Sequence, residues 1–314
     1  MRVKFDLQDI YKNDDSPDAT ELAIKADESL KGRAGKPQPV ANIIHPRPKR
    51  SDWIWYSLLA VVAILFIELV IDNPRWKWDI VAHYLFSKRV ISGLENTLIL
   101  TVCASTLGLC LGLIIMACRM SSNPVLKGFA YIYIWIIRAI PPIAMLLFLF
   151  FVSAIVPRIY LPLPILNVNL FDIDTTTLIS RFSAAVIGLA LYLGGYSAEI
   201  FRGGIMAVEP GQREASKAIG MSDFQMMFHV VMPQALRVII PPLANELITM
   251  FKSTSLVTVI GYVELLTTVQ LIYSTNFETI PLLTVACIWY LFLTSLAMAV
   301  QSLLEWHFSK GAKR

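Results

Sequence analysis

Long apolar runs separated by short polar stretches dominate the chain from residue 53 onward. A hydrocarbon core of about 30 Å takes roughly 20 apolar helical residues. Runs at 53–71, 94–117, 129–156, 182–201 and 279–304 meet that length. The first carries Glu68 near its far end, and the third is interrupted by Arg138 and Pro141-Pro142. The run at 230–251 is a poorer span, because it holds Arg237, Pro241-Pro242, Asn245 and Glu246. The pattern predicts an all-α, multispan helical membrane protein with about six membrane helices. Residues 1–50 differ in kind: they are mixed in charge and carry Pro17, Pro37, Pro39, Pro46, Pro48, Gly32 and Gly35. Ala19, Leu22, Ala23 and Ala26 recur at helical spacing and predict one helix over 16–30. The rest reads as a tail or linker.

Composition agrees with the pattern. Of 314 residues, 56% are hydrophobic and 16% charged, against about 45–50% and 25% in soluble domains. The net charge of +4 is better read through the loops than as a nucleic-acid signal, and no basic, aromatic-interleaved surface is present. Cys103, Cys110, Cys118 and Cys287 sit in or beside apolar runs without a C-x-x-C pair, and read as small packing residues. The first apolar run begins near Trp53, too late for a secretory signal. His45, His83, His229 and His307 are scattered, so no metal site is expected. The chain lacks a G-x-x-x-x-G-K-[ST] phosphate loop, an H-E-x-x-H and a G-x-S-x-G. No catalytic residue and no cofactor of its own are expected.

Lys and Arg near the span ends predict the orientation. Arg47, Lys49 and Arg50 precede the first span and put the N-terminus in the cytoplasm. Counting crossings then places 119–127, 202–217 and the tail with Lys310, Lys313 and Arg314 inside, and all are basic. The predicted outer segment 253–278 has Glu264 and Glu278 and, past the span end at Lys252, no Lys or Arg. Arg75, Lys77, Lys88 and Arg89 lie on the outer side against this rule. The stretch 76–90 is therefore read as one amphipathic helix on the outer interface, anchored by Trp76 and Trp78.

One polar segment interrupts the apolar runs: EASKAIGMSDFQMMFHVVMP, residues 214–233. Glu209-Pro210-Gly211 should end the preceding span, leaving about two helical turns over 212–219. Glu214 near the start suits the helix dipole, Ala215 and Ala218 permit close approach, and Gly220 fits a left-handed terminus. Ser222 or Asp223 could cap the next helix. A helix this short is unstable alone and needs a partner, which by topology is cytoplasmic.

The segment resembles the EAA loop of ABC-importer permeases: Glu-Ala-Ala, three residues, Gly, nine residues, then Ile-x-Leu-Pro. Glu214, Ala215 and Ser216 take the first places, Gly220 the Gly place, and Val230, Met232 and Pro233 the last. Ser for Ala, Val for Ile and Met for Leu keep size or apolar character. SAEIFRGGI (197–205), GQREASKAIG (211–220), PPLANELITMFKSTSLVTVIG (241–261) and GLENTLILTV (93–102) resemble the polar amino acid subfamily, of the histidine, glutamine and glutamate type. RAIPP (138–142) departs from that family's Arg-Gly-Thr-Pro. The resemblance implies a type I ABC importer permease core of five helices over 93–306, with the coupling loop at 209–233. The N-terminal extension 1–52, the added span 53–72, the interfacial segment 76–92 and the cytoplasmic tail 307–314 flank it. It further implies a coupling helix, Glu214, Ala215, Ser216, Ala218, Ile219, Gly220 and Met221, seated on a separate ATPase subunit that binds ATP and Mg. Two ATPases, a second permease copy or paralogue, an extracytoplasmic substrate-binding protein and the lipid of a bacterial cytoplasmic (inner) membrane are the implied partners.

Ionisable groups inside a membrane usually face a partner or a watery cavity. The candidate patch is Asn245, Glu246, Thr249, Lys252, Ser253, Thr254 and Ser255, near carbonyls that Pro241-Pro242 would free. It reads either as lining the translocation pathway or as holding two permeases together. Glu199 and Arg202 read as a structural pair, and Arg138 as a gate or a snorkelling cation. An ion-gradient-driven secondary transporter is the rival reading, yet no inverted repeat is visible. A membrane enzyme lacks an acid, base or metal constellation, and a scaffold leaves the 214–233 segment unexplained.

Overall fold

A computed structural model describes residues 50–163, 168–175 and 179–309. The helix expected over 16–30, and most of the basic cluster before the first span, lie outside the described residues. The chain divides into two units, Met1–Asp72 and Asn73–Arg314. The described part of the first is α1 (Arg50–Ile71), a 22-residue helix of about 33 Å, enough to cross a bilayer.

The second unit begins with a 3-10 turn (Pro74–Trp76), α2 (Trp78–Leu85) and α3 (Lys88–Met120). The single interfacial helix expected over 76–90 is thus two pieces. Lys77 takes a left-handed conformation, φ 46°, after the first turn, and Ser87 caps α3 by accepting from the Val90 amide. Trp76 and Trp78 do pair, their rings stacked with centroids 5.8 Å apart. Lys77 is neutralised by Glu278, 2.5 Å away.

Next come α4 (Pro124–Ala139) and α5 (Pro142–Ile155), bent 108° from each other. The run 129–156 is therefore not one straight span. Ile140 and Pro141 are extended, ψ 129° and 135°, because a residue before proline avoids the helical region. A two-stranded antiparallel hairpin follows, β1 (Arg158–Leu163) and β2 (Val168–Asp174), with an irregularity between Tyr160 and Pro162. It is the one strand element among the described residues, whose other elements are helical.

Then α6 (Arg181–Met206) packs along α3. Small residues let their axes approach closely. A Cβ on Gly108 would lie 2.8 Å from Leu193 Cβ and 3.0 Å from the Ala190 carbonyl oxygen, and one on Gly112 2.0 Å from Ser197 Oγ. Gly108→Ala is expected to cost about 1–3 kcal/mol, because the Ala190 backbone cannot yield. A melting curve in detergent, lowered relative to the parent, checks this.

After α6 the chain forms α7 (Pro210–Ala218), α8 (Asp223–Met226), a π turn (Met227–Val231) and α9 (Met232–Ser253). A 3-10 turn (Thr254–Ile260), α10 (Leu265–Asn276) and α11 (Thr279–Ser309) complete it. The segment between the last two spans, 253–278, is thus largely helical and packs into the bundle. Leu265, Val269 and Ile272 of α10 are buried with Val81, Val90, Leu94, Leu282 and Val285. The central core joins Leu100, Leu146, Leu189, Leu193, Met250 and Val257. At the other end Phe201, Ile205, Met226, Val231, Ala235 and Ile239 form a third cluster beneath α7 and α8.

Candidate functional site

The polar segment 209–233 is built on that third cluster. Pro210 occupies the first turn of α7, where its missing amide donor costs nothing. Gly220 ends α7 at φ +79°, with its amide on the Lys217 carbonyl and the Met221 amide on the Ser216 carbonyl. That is the Schellman closure, which a left-handed glycine permits. Ser222 then caps α8 in a reciprocal box with Gln225. Arg213 ties α7 back to α6 through its Nη2 and the Ile205 carbonyl, 2.5 Å. A short helix is thus held rigidly by its termini rather than by its own propensity.

Its two faces differ. Ser216 turns inward, 4% exposed, with its hydroxyl on the Gln212 carbonyl at 2.7 Å. Glu214, Ala215, Lys217, Ala218 and Gly220 are exposed, and Met221 half-buried. Ile219 is 74% exposed. Phe224 and Phe228, which sequence reasoning passed over, pack with tilted rings, centroids 4.5 Å apart, on the same segment and are exposed. Their i, i+4 spacing was the available signal. The result is a small-residue ledge with an isoleucine and an aromatic pair beside it, a surface that a groove on another protein can receive.

The second candidate patch lies on α9, which runs unbroken through Pro241 and Pro242. Neither proline can donate a backbone bond, so carbonyls one turn earlier lose their usual donors. Thr249 and Ser253 hydroxyls each bond the carbonyl four residues back, Asn245 at 3.0 Å and Thr249 at 2.9 Å. Ser255 bonds the Lys252 carbonyl. Asn245 and Lys252 are exposed. Thr254 departs from the patch: it is fully buried, bonded to the Phe251 carbonyl at 2.6 Å, because the 3-10 turn rotates it into the core.

Glu246 is half-buried, and its Oε1 is buried without a hydrogen-bond partner. The charge of Arg138 acts on it, and it acts in turn on Tyr192. The Arg138 guanidinium stands over the Tyr196 ring, 5.2 Å from the centroid, and the Tyr192 and Tyr196 rings are 4.6 Å apart. Three side chains from α4 and α6 thus gather near the acidic group of α9. The two tyrosines were not picked out in the sequence, where they look like packing residues.

Glu264 behaves differently. It is 0% exposed and caps α10, accepting from the Leu266 amide at 2.9 Å and the Thr267 amide at 2.7 Å. Tyr290 donates to it at 2.8 Å and the Thr267 hydroxyl at 3.1 Å. This carboxylate is fully used by the fold. Arg202 donates twice to Glu199 Oε2, at 2.6 and 2.9 Å.

A binding-protein-dependent transport system inner membrane component, as a family, matches residues 108–310 of the chain. The chain belongs to this family. The arginine transport system permease protein ArgU of Corynebacterium glutamicum is 42% identical over 275 residues, 86% of this chain and 85% of that one. The L-cystine transport system permease protein TcyB of Bacillus subtilis is 33% identical, over 73% of this chain and 89% of its own. A crystal structure of an amino acid ABC transporter with histidines superposes with a TM-score of 0.60 at 34% identity, over 70% of this chain and 94% of that one. The permease is thus the membrane-spanning subunit of an ATP-driven importer, and ATP hydrolysis belongs to a separate ATPase. It works with an ATPase and a substrate-binding protein. No observation favours an ion-gradient-driven carrier.

Proposed function

We propose that the permease imports polar or charged amino acids across a bacterial cytoplasmic (inner) membrane, driven through α7 and passing substrate at Glu246. The observation that carries this reading is the capped, rigidly seated α7, whose outward edge is Ala215, Ala218 and Ile219. Two ATPases holding ATP and Mg dock on this edge and on that of a second permease copy or paralogue. ATPase closure then moves α7, and through the cluster around Phe201, Val231 and Ile239 it moves α6 and α9. The arginine and cystine relatives support the substrate class.

Glu246 meets the substrate ammonium, with Asn245, Thr249, Lys252, Ser253 and Ser255 along the same pathway. An unpartnered buried carboxylate oxygen in a membrane segment supports this, since such a group is costly unless used. Both termini are cytoplasmic. The basic segments 119–127 and 202–217 on the same side support this orientation. The extension 1–52 and the span 53–72 are additions to the five-helix core.

Purification of the tagged chain from native membranes tests the reading, with an ATPase expected in comparable amount. Recovery of the chain alone, under conditions that hold a known importer together, would sink it. Glu246→Gln is expected to cut transport about 10–100-fold with the complex intact, the loss of one charge-assisted bond. Unchanged affinity and rate would remove Glu246 from the pathway.

A further inference from the structure

A cleft of about 410 Å3, lined by Arg119, Tyr131, Ile134, Trp135, Arg138 and Glu199, opens on α4 toward the α7 end of the bundle. Tyr131, Ile134, Trp135 and Arg138 recur at helical spacing and extend over two turns, about 10 Å. Arg119, from the last turn of α3, stands over the Tyr131 ring, 5.1 Å from its centroid. Arg138 stands likewise over Tyr196. An aromatic face holds each guanidinium while leaving its N–H edge free to donate.

The cleft holds the cations Arg119 and Arg138 and the acid Glu199, and Glu246 lies beyond its lining. Arg138 stands over Tyr196, whose ring lies 4.6 Å from that of Tyr192, and its charge acts on Glu246 without a direct contact. Arg119 Nε lies 3.9 Å from Glu199 Oε1, too far for a hydrogen bond, and is buried with no other partner. Glu199 spends its other oxygen on Arg202. Arg119 and Glu199 therefore offer a cation with unused donors beside a carboxylate with an open oxygen. Arg138 lines the cleft, and the Tyr196–Tyr192 pair links it toward Glu246.

We infer that the cleft is the release route for substrate on the α7 side, in which Arg119 and Glu199 form a second station for the amino acid zwitterion. This rests on the importer reading. At the first station the α-carboxylate meets Arg138 and the ammonium meets Glu246. At the second the carboxylate meets the Arg119 fork, and the ammonium meets Glu199 Oε1. A free α-amino acid carries both charges on adjacent atoms, so each pair fits the same end of the substrate whatever its side chain. Two stations let each hold be weak enough to leave, as multi-site conduction requires.

The test uses the whole complex with its ATPase and binding protein, in proteoliposomes made with and without anionic lipid. Labelled L-arginine is the probe, supplied on saturating binding protein. Arg119→Gln is expected to lower transport turnover about tenfold in both lipids, with the half-saturating concentration of loaded binding protein unchanged. Arg119→Lys keeps the charge but not the fork, and its turnover should fall between Arg119→Gln and the parent. Parental turnover in Arg119→Gln would overturn the inference. So would a Lys variant no better than the Gln variant, which would mean lost packing. A defect seen only with anionic lipid would assign Arg119 to a lipid phosphate and overturn it as well. Loss in Glu246→Gln with none in Arg119→Gln would leave the importer reading standing without the second station. No loss in either, with no ATPase bound, would remove the importer reading itself.

Discussion

Ile219→Asp is expected to strip the ATPase from the permease. Ile219 ends α7, 74% exposed, at the edge of the ledge formed by Ala215 and Ala218. A central apolar anchor in an interface typically contributes about 2–4 kcal/mol, so affinity should fall roughly 30- to 1,000-fold. Transport should fall with it. The fold should not, because the side chain makes no part of the cluster beneath α7, and an acid near a helix C-terminus costs only about 0.5 kcal/mol. Ile219→Ala should show a smaller loss in the same direction. Co-purification and a size-exclusion profile of the permease measure both effects. An ATPase retained at the parental ratio would show that this edge is not the docking surface.

The membrane character was legible because apolar runs of span length leave little alternative. So was α7, expected over 212–219 and found at Pro210–Ala218, since Pro210 and Gly220 punctuate it chemically. The two Pro-Pro pairs were not. Pro141-Pro142 breaks a span by 108°, whereas Pro241-Pro242 sits inside a continuous helix. Local chemistry is the same, and Ile140 and Ile240 precede them alike. The difference is tertiary. Ile239, two residues before Pro241, is buried against Gly204, where a Cβ would come within 2.2 Å of it. At the other pair the buried contact lies farther back, Ile137 against Gly195, and Ala139 and Ile140 next to the prolines are exposed. Glu246 was found as an acid in an apolar run, yet its companions Arg138, Tyr192 and Tyr196 come from other helices, and spacing along one helix cannot reveal them. The burial of Glu264 was not legible for the same reason: its partners Thr97 and Tyr290 belong to α3 and α11.

That burial gives Glu264 the largest stability effect expected in the chain. Glu264→Ala leaves the Leu266 and Thr267 amides and the Tyr290 hydroxyl without their acceptor. Each unsatisfied buried donor costs about 1–3 kcal/mol, and α10 loses its cap as well. A net loss near 4 kcal/mol lowers the melting temperature of a domain this size by about 10 °C. Glu264→Gln should fall between, because its amide group would face donors where the carboxylate accepted. Tyr290→Phe removes one of these bonds and should cost about 1 kcal/mol. Melting in detergent and accumulation in the membrane report the loss directly. The converse pattern, parental melting with transport abolished in Glu264→Gln, would move Glu264 from the scaffold into the pathway, because only a group that meets the substrate could be silent in the fold and indispensable to transport.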